Sequence, residues 1–225
     1  MPIGATYTFP KLAHEWLKHE LDPEFSRAAG TILANSGNLV TGTVLGKITK
    51  GAATAAAKAG GNTGNGILTL DATTPVLAGA KVGVYTVRCI AAAANGGTFR
   101  VEGPDGLVMG DVAVAGTFAE HLKFVIADGS TDFAAGDGFD ITVAAGSGKY
   151  APHNPTAVDG REIADAILLT GVDTTGADAK SAIIIADAVI NPLALTWHAS
   201  VDDATKKGNA LAQLATKNIA TRTIV

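Results

Sequence analysis

Apolar and polar positions alternate most clearly between residues 67 and 143, where about five or six short runs read as β-strands. They are Ile67–Leu70, Val82–Ala91, Thr98–Glu102, Leu107–Val112, Leu122–Ile126 and Phe139–Val143. In Phe99-Arg100-Val101-Glu102 and Phe139-Asp140-Ile141-Thr142-Val143 the apolar side chains fall on one face and the polar ones on the other. Strong turn signals separate the runs: Asn95-Gly96-Gly97, Pro104-Asp105-Gly106, Asp128-Gly129 and Gly136-Asp137-Gly138. Strands at this spacing predict a small antiparallel β-sandwich of Ig-like strand count.

Either side of this block the pattern changes. Ala29–Leu33 and Val40–Thr49 read as two strands around the turn Asn35-Ser36-Gly37-Asn38. Residues 51–66, GAATAAAKAGGNTGNG, lack large apolar side chains and read as a linker. A second small-residue stretch, Ala144–Gly148, closes the block. Removing residues 51–146 would join Lys47–Lys50 to Ser147–Tyr150 as a hairpin, so the middle domain reads as an insertion at an exposed tip. After it, Ile163–Leu169 and Ser181–Val189 predict strands. Ser200-Val201-Asp202-Asp203 resembles a capping box ahead of an amphipathic helix carrying Ala204, Leu211, Leu214 and Ala215. Gly208 interrupts that helix and fits a place where a neighbouring chain approaches closely. Ile219–Val225 reads as a short final strand. At the other end, residues 11–21 predict a short helix stopped before Pro23. Residues 1–28, with Tyr7, Phe9, Trp16 and Phe25, hold too little apolar material to fold alone and read as an arm that orders against something else.

Composition narrows the function. The chain has 225 residues, 47% of them hydrophobic, which supports a packed core. Only 5% are aromatic, beside 27 Gly, so few large side chains exist to line a deep pocket. A net charge of −4 with scattered Lys and Arg excludes a nucleic-acid footprint. No uncharged apolar run is long enough to span a membrane, and the N-terminus lacks a signal-peptide pattern, as expected for a chain made in the cytoplasm. Cys89 sits in an alternating run and reads as a small strand side chain that no disulfide needs.

Candidate chemistry is thin. Gly61–Gly66 has G-x-x-G-x-G spacing without a following helix, and Gly146-Ser147-Gly148-Lys149 ends in Tyr150 where a phosphate loop needs Ser or Thr. Asp128, Asp132, Asp137 and Asp140 offer oxygens for calcium, but their spacing fits no EF-hand and Asp-Gly turn chemistry accounts for them. His14 and His19 miss the i,i+4 spacing of a helical zinc pair, and His121, His153 and His198 have no evident nucleophile partner. Asp132 and Asp137 are the only tempting carboxylate pair for glycan hydrolysis. The reading is therefore no enzyme, no cofactor and no metal.

The outer segments carry a resemblance. Gly42-Thr43-Val44-Leu45-Gly46-Lys47-Ile48-Thr49, then Lys149-Tyr150 with Pro152 and Pro155, are followed by Asp159-Gly160 and Ala166-Ile167-Leu168. Val172-Asp173-Thr174-Thr175-Gly176-Ala177 and the Ala182–Val189 run leading to Asn191 complete the set. In this order, over residues 25–50 and 147–225, they resemble the head decoration proteins of lambda-like tailed phages. The resemblance implies a mainly β fold, a "β-tulip" with a short C-terminal helix, formed by residues 29–50 plus 147–225 and split by the inserted β-sandwich domain of residues 51–146. It implies a homotrimer that binds the outside of the expanded head at local threefold sites and stabilises it. The partner would be the major capsid protein, reached by an N-terminal arm (1–28) through Leu21, Asp22, Pro23, Glu24, Phe25, Ser26 and Arg27. The arm is longer and more aromatic than in the simplest members. The inserted domain is absent from them, and its GGNTGNG opening with Asp132-Phe133, Gly136-Asp137 and Phe139 resembles a β module of phage structural proteins. An alternative function for that domain is attachment of the virion to host glycans or cell-surface polymers.

Overall fold

The computed structural model describes residues 10–223, which divide between two compact units. One comprises the chain up to Ile48 and from Gly148 onward; the other is Thr49–Ser147. Tyr7 and Phe9 of the expected arm, and the last two residues of the expected final strand, lie outside the described residues.

The chain opens with one-turn helix α1 (Ala13–Trp16), strand β1 (Leu17–Glu20), one-turn helix α2 (Pro23–Ser26), β2 (Arg27–Ile32), β3 (Asn38–Leu39) and β4 (Val44–Lys47). The second unit supplies β5 (Lys50–Ala57), β6 (Ile67–Leu70), β7 (Gly83–Ala93), β8 (Gly96–Glu102), β9 (Val108–Ala113), β10 (Thr117–Ala119), β11 (Lys123–Ala127) and β12 (Gly138–Ala145). Back in the first unit follow β13 (Tyr150–Pro152), β14 (Ala164–Leu168), β15 (Val172–Asp173), β16 (Ala179–Ile184) and β17 (Ala188–Ile190). A 3-10 turn (Pro192–Ala194), helix α3 (Ala204–Ala215) and β18 (Ile219–Thr221) end the described chain.

In the first unit β13, β2, β16, β14 and β4 close into a barrel. The continuous run Ala166-Ile167-Leu168 marks a wall buried on both faces, and its residues sort accordingly. Leu45, Ala166, Leu168, Ile183 and Ile32 form one cluster. Val44, Ile167 and Ile184 join another with Ala210 and Leu214 of α3, Ile190 of β17, Ile219 of β18 and Trp16. Gly46 has to be glycine where β4 runs under the Arg161 backbone, since a Cβ there would lie 2.6 Å from the Arg161 Cα.

Residues 11–21 do not form the expected single helix. After one turn the chain becomes β1, pairing antiparallel with β17, while β18 pairs parallel on the far side of β17. The reason is the fully buried Trp16: its Nε1–H donates to Thr41 Oγ1 (2.9 Å) and its carbonyl accepts from Asn191 N (2.7 Å). Residues 13–20 thus pack into their own unit. The helix cap is also simpler than a capping box. Asp203 itself caps α3, accepting from Lys206 N (2.7 Å), while Ser200 bonds His198.

In the second unit a five-stranded sheet, β5-β12-β7-β8-β9, and a three-stranded sheet, β10-β11-β6, share one core. Tyr85, Val87, Phe99, Val101, Ile141 and Val143 meet Phe118, Phe124 and Ile126, with Phe133 edge-on to Phe99 at 5.0 Å. Cys89 is buried among them, and burial pushes its thiol up. The linker reading of residues 51–66 is overturned. Residues 50–57 are an edge strand, placed by its β12 partner rather than by β propensity of its own. Residues 61–66 are held by side chains: Asp137, 4% exposed, accepts from the N–H groups of Thr63, Gly64 and Ala134, each at 2.9 Å. Asn62 bonds both the N–H and the carbonyl of Gly138.

Gly208 lies inside α3, where an added methyl group meets no atom within 4 Å. Among the described residues no neighbour needs it small. Gly208→Ala is expected to raise stability by about 0.5–1 kcal/mol, read as a higher denaturation midpoint in chemical unfolding. A drop would mean that something outside the chain packs on that face.

Candidate functional site

The seven residues named from the resemblance form a braced corner between β1 and β2. Asp22 caps the one-turn helix, its Oδ1 accepting from Glu24 N (2.9 Å), and Pro23 at the first helical position pre-sets φ. The Asp22 carbonyl accepts from Ser26 N (2.8 Å) and Phe25 N (3.1 Å). Ser26 is fully buried and donates its hydroxyl to the Asp187 carbonyl (3.1 Å). That same oxygen accepts Leu21 N–H (3.0 Å), and Ser26 O accepts from Ile185 N (2.9 Å). Across the base of the corner Arg27 pairs with Glu20, its Nε 2.9 Å from Oε2.

Five of the seven therefore build the frame, and two are presented by it. Leu21 is 75% exposed and Phe25 71% exposed. Phe25 is the one aromatic among the exposed large hydrophobic side chains of the described residues. An exposed apolar pair on a hydrogen-bonded frame can insert into a complementary apolar recess without first ordering its own backbone. Reading the sequence missed Asp187 and Glu20, which complete the brace from distant or neighbouring strands. Asp187 left only a faint signal, a polar residue between two apolar runs; it adopts φ +49°.

Of the four aspartates that offered oxygens for calcium, three are separately employed, while the buried Oδ1 of Asp128 has no hydrogen-bond partner among the described residues. Asp137 organises residues 61–66; burial opposes its charge, yet the backbone donors and Lys58 hold its carboxyl below the usual range. Asp132 accepts from Asn95 N (2.9 Å), and Asp140 pairs with Arg88. Among the described residues no group of three or more acidic, His or Cys side chains gathers as a metal site would need. Of the two carboxylates paired for hydrolysis, Asp132 is exposed and Asp137 is buried beneath three backbone N–H donors. A groove of about 340 Å³ over β6, β10 and β11 holds the Asp71–Lys123 ion pair (2.8 Å). Its carboxylate also accepts from Thr73 N and Thr74 N, so it serves the turn. Every aromatic ring of the second unit, Tyr85, Phe99, Phe118, Phe124, Phe133 and Phe139, is buried, leaving no ring to stack on a sugar.

The β framework of the first unit thus presents a braced, solvent-facing apolar pair at this corner. The chain belongs to the bacteriophage lambda head decoration protein D family, whose sequence model matches residues 6–219. The resemblance read from the residues is thus borne out: the family is one of phage head decoration proteins. No curated protein matches it. Two crystal structures of Xanthomonas campestris FlgL, in space groups H3 and C2, are similar at 21% and 20% identity, over 47% and 49% of this chain and 33% of each of those. Their TM-score is 0.31, too low to carry an argument, and this chain spans about a third of their length. Among the described residues no helix is long and apolar enough to cross a membrane.

His153 gives the first unit a pH dependence. It is 2% exposed, its backbone N–H bonds Val44 O (2.9 Å), and Nε2 lies 3.2 Å from Glu162 O, while among the described residues Nδ1 has no partner. Burial holds its pKa below the ordinary 6.5, with Glu162 opposing and His198 assisting. The unfolded chain therefore takes up a proton near pH 6.5 that the folded chain refuses until lower pH. Stability is fully present above pH 6.5 and falls as pH drops toward the folded-state value. His153→Gln is expected to flatten that fall in melting temperature measured against pH; an unchanged slope would assign it to other groups.

Proposed function

We propose that this chain is a capsid decoration protein that binds as a homotrimer to the outside of the expanded phage head, at local threefold sites, and stabilises the shell. The major capsid protein is its partner, and Leu21–Arg27 make the contact. Residues 29–50 with 147–225 are the β-tulip decoration domain, and residues 51–146 an Ig-like insertion. The observation that carries this reading is the Leu21 and Phe25 pair, held out on a frame that spends five residues and the Asp187 carbonyl to position it. Family membership supplies the head as the surface. The glycan alternative gains nothing from the second unit, whose rings are all buried.

Replacing both exposed side chains, Leu21→Ser with Phe25→Ser, removes an anchor of the kind that costs about 2 kcal/mol or more, or roughly 30-fold in affinity. Titration of undecorated expanded heads, with density at the threefold positions as readout, is expected to show that loss while the unfolding curve stays put. Undiminished binding by this variant would reject the site.

Deleting residues 51–146 and closing the chain with a short turn tests the division of labour. The shortened chain is expected to fold and to bind heads as before. Loss of binding by a shortened chain that still unfolds cooperatively would refute the split-domain reading.

A further inference from the structure

The dipeptide Asn-Gly occurs twice in the chain, at Asn65-Gly66 and Asn95-Gly96, and the fold treats the two in opposite ways. Asn65 is locked. Its Oδ1 accepts from Thr131 N (2.9 Å) and its Nδ2 donates to Ser130 Oγ (2.9 Å). Gly66 beside it is buried, and even a Cβ there would lie 2.4 Å from the Phe133 ring. Asn95 sits at the tip of the β7–β8 hairpin, in a two-residue loop with φ +50°, where residues 90–95 are all exposed. Its N–H bonds Asp132 Oδ1, but among the described residues nothing holds its side-chain amide. Gly96 presents no side chain to block approach, and space around it is open, its nearest non-adjacent atom being Ala94 O at 3.8 Å from a notional Cβ.

We propose that Asn95 is a site of spontaneous covalent modification, deamidating through a cyclic imide with Gly96, and that Asn65 is protected from the same reaction by the fold. The Gly96 backbone nitrogen gives up its proton to solvent base and attacks Asn95 Cγ. A C–N bond forms, the Cγ–Nδ2 bond breaks, and Nδ2 leaves as ammonia after taking a proton from water. Water then adds to either carbonyl of the five-membered imide. Opening at one restores the ordinary backbone with aspartate at position 95; opening at the other routes the main chain through the side chain as isoaspartate. Nothing is oxidised or reduced, and water is the only reagent consumed.

The product alters the hairpin. Aspartate at position 95 puts a second carboxylate next to Asp132, which already accepts the Asn95 N–H. Isoaspartate inserts a methylene into a two-residue turn whose length sets the β7–β8 register. Either product loosens the tip without touching the core of the unit.

The two sites fall in separate tryptic peptides, residues 59–81 and 89–100, so one experiment reads both. The full chain is incubated folded in mildly alkaline buffer at physiological temperature, digested at intervals, and compared with an unincubated sample by mass. The amide-to-acid mass gain is expected to accumulate in the 89–100 peptide, mostly as isoaspartate, and to stay at background in the 59–81 peptide. Incubation in denaturant is expected to bring the two to similar rates, and Gly96→Ala to slow the folded reaction at least several-fold. Equal rates in the folded protein, or no gain at 89–100, would overturn the proposal. So would a mass gain at Asn95 that Gly96→Ala leaves unchanged.

Discussion

The burial of Trp16 is the constraint on which the first unit turns. A chain with 5% aromatic residues has few large side chains to spend, and this one is placed at the junction of three elements. Its indole N–H reaches Thr41 Oγ1, whose own hydroxyl reaches Leu169 O (2.7 Å), so the ring's polar atom is satisfied inside the core. Gly42, at φ +81°, keeps the backbone close against the ring face. Removing such a side chain typically costs about 3–5 kcal/mol, a large part of a domain's net stability. From Trp16 follows the path of β1, and from β1 the position of Leu21. A core contact thus fixes where a surface side chain stands.

The second unit solves a different problem. Its opening segment has almost no apolar side chains, so it cannot order itself by burial. Asp137 supplies the order instead. A carboxylate accepting three backbone N–H groups compensates its own desolvation and removes three unsatisfied donors at once. Asn62 repeats the device against Gly138 with a donor and an acceptor. Glycine-rich sequence that reads as flexible is thereby made rigid by two polar side chains, one of them about 75 residues away.

What was legible in the sequence follows from how local each signal is. The runs at 98–102 and 139–143 were readable because one face of each is buried, and burial writes a two-residue period. Helix α3 was readable from its 3.6-residue period, although its cap came three residues later than Ser200. Strand β5 was not, because KGAATAAA carries no period and is placed by β12 alone. The early helix failed for a similar reason: β17 offered backbone partners that outweighed a modest local preference. At the candidate site the residues Leu21–Arg27 could be named, but not their two roles. That Ser26 is buried and Phe25 exposed depends on the Asp187 carbonyl, contributed from about 160 residues further along.

The two roles bear on how a contact through this corner would work. An arm that orders on binding has to give up backbone freedom worth about 1–2 kcal/mol per residue at that moment. Over the seven residues from Leu21 to Arg27 this is roughly 7–14 kcal/mol, comparable with the whole free energy of a nanomolar complex. Here the ordering is done by folding, through Asp22, Ser26, Asp187 and the Glu20–Arg27 pair. Strand addition also needs an edge with free donors and acceptors, whereas at this corner the backbone of Leu21, Phe25 and Ser26 is already bonded within the chain. What remains to offer a partner is side chain, above all the rings and methyls of Phe25 and Leu21. The geometry therefore favours a preformed apolar knob over a strand that zips on, and an apolar recess over a sheet edge as its counterpart.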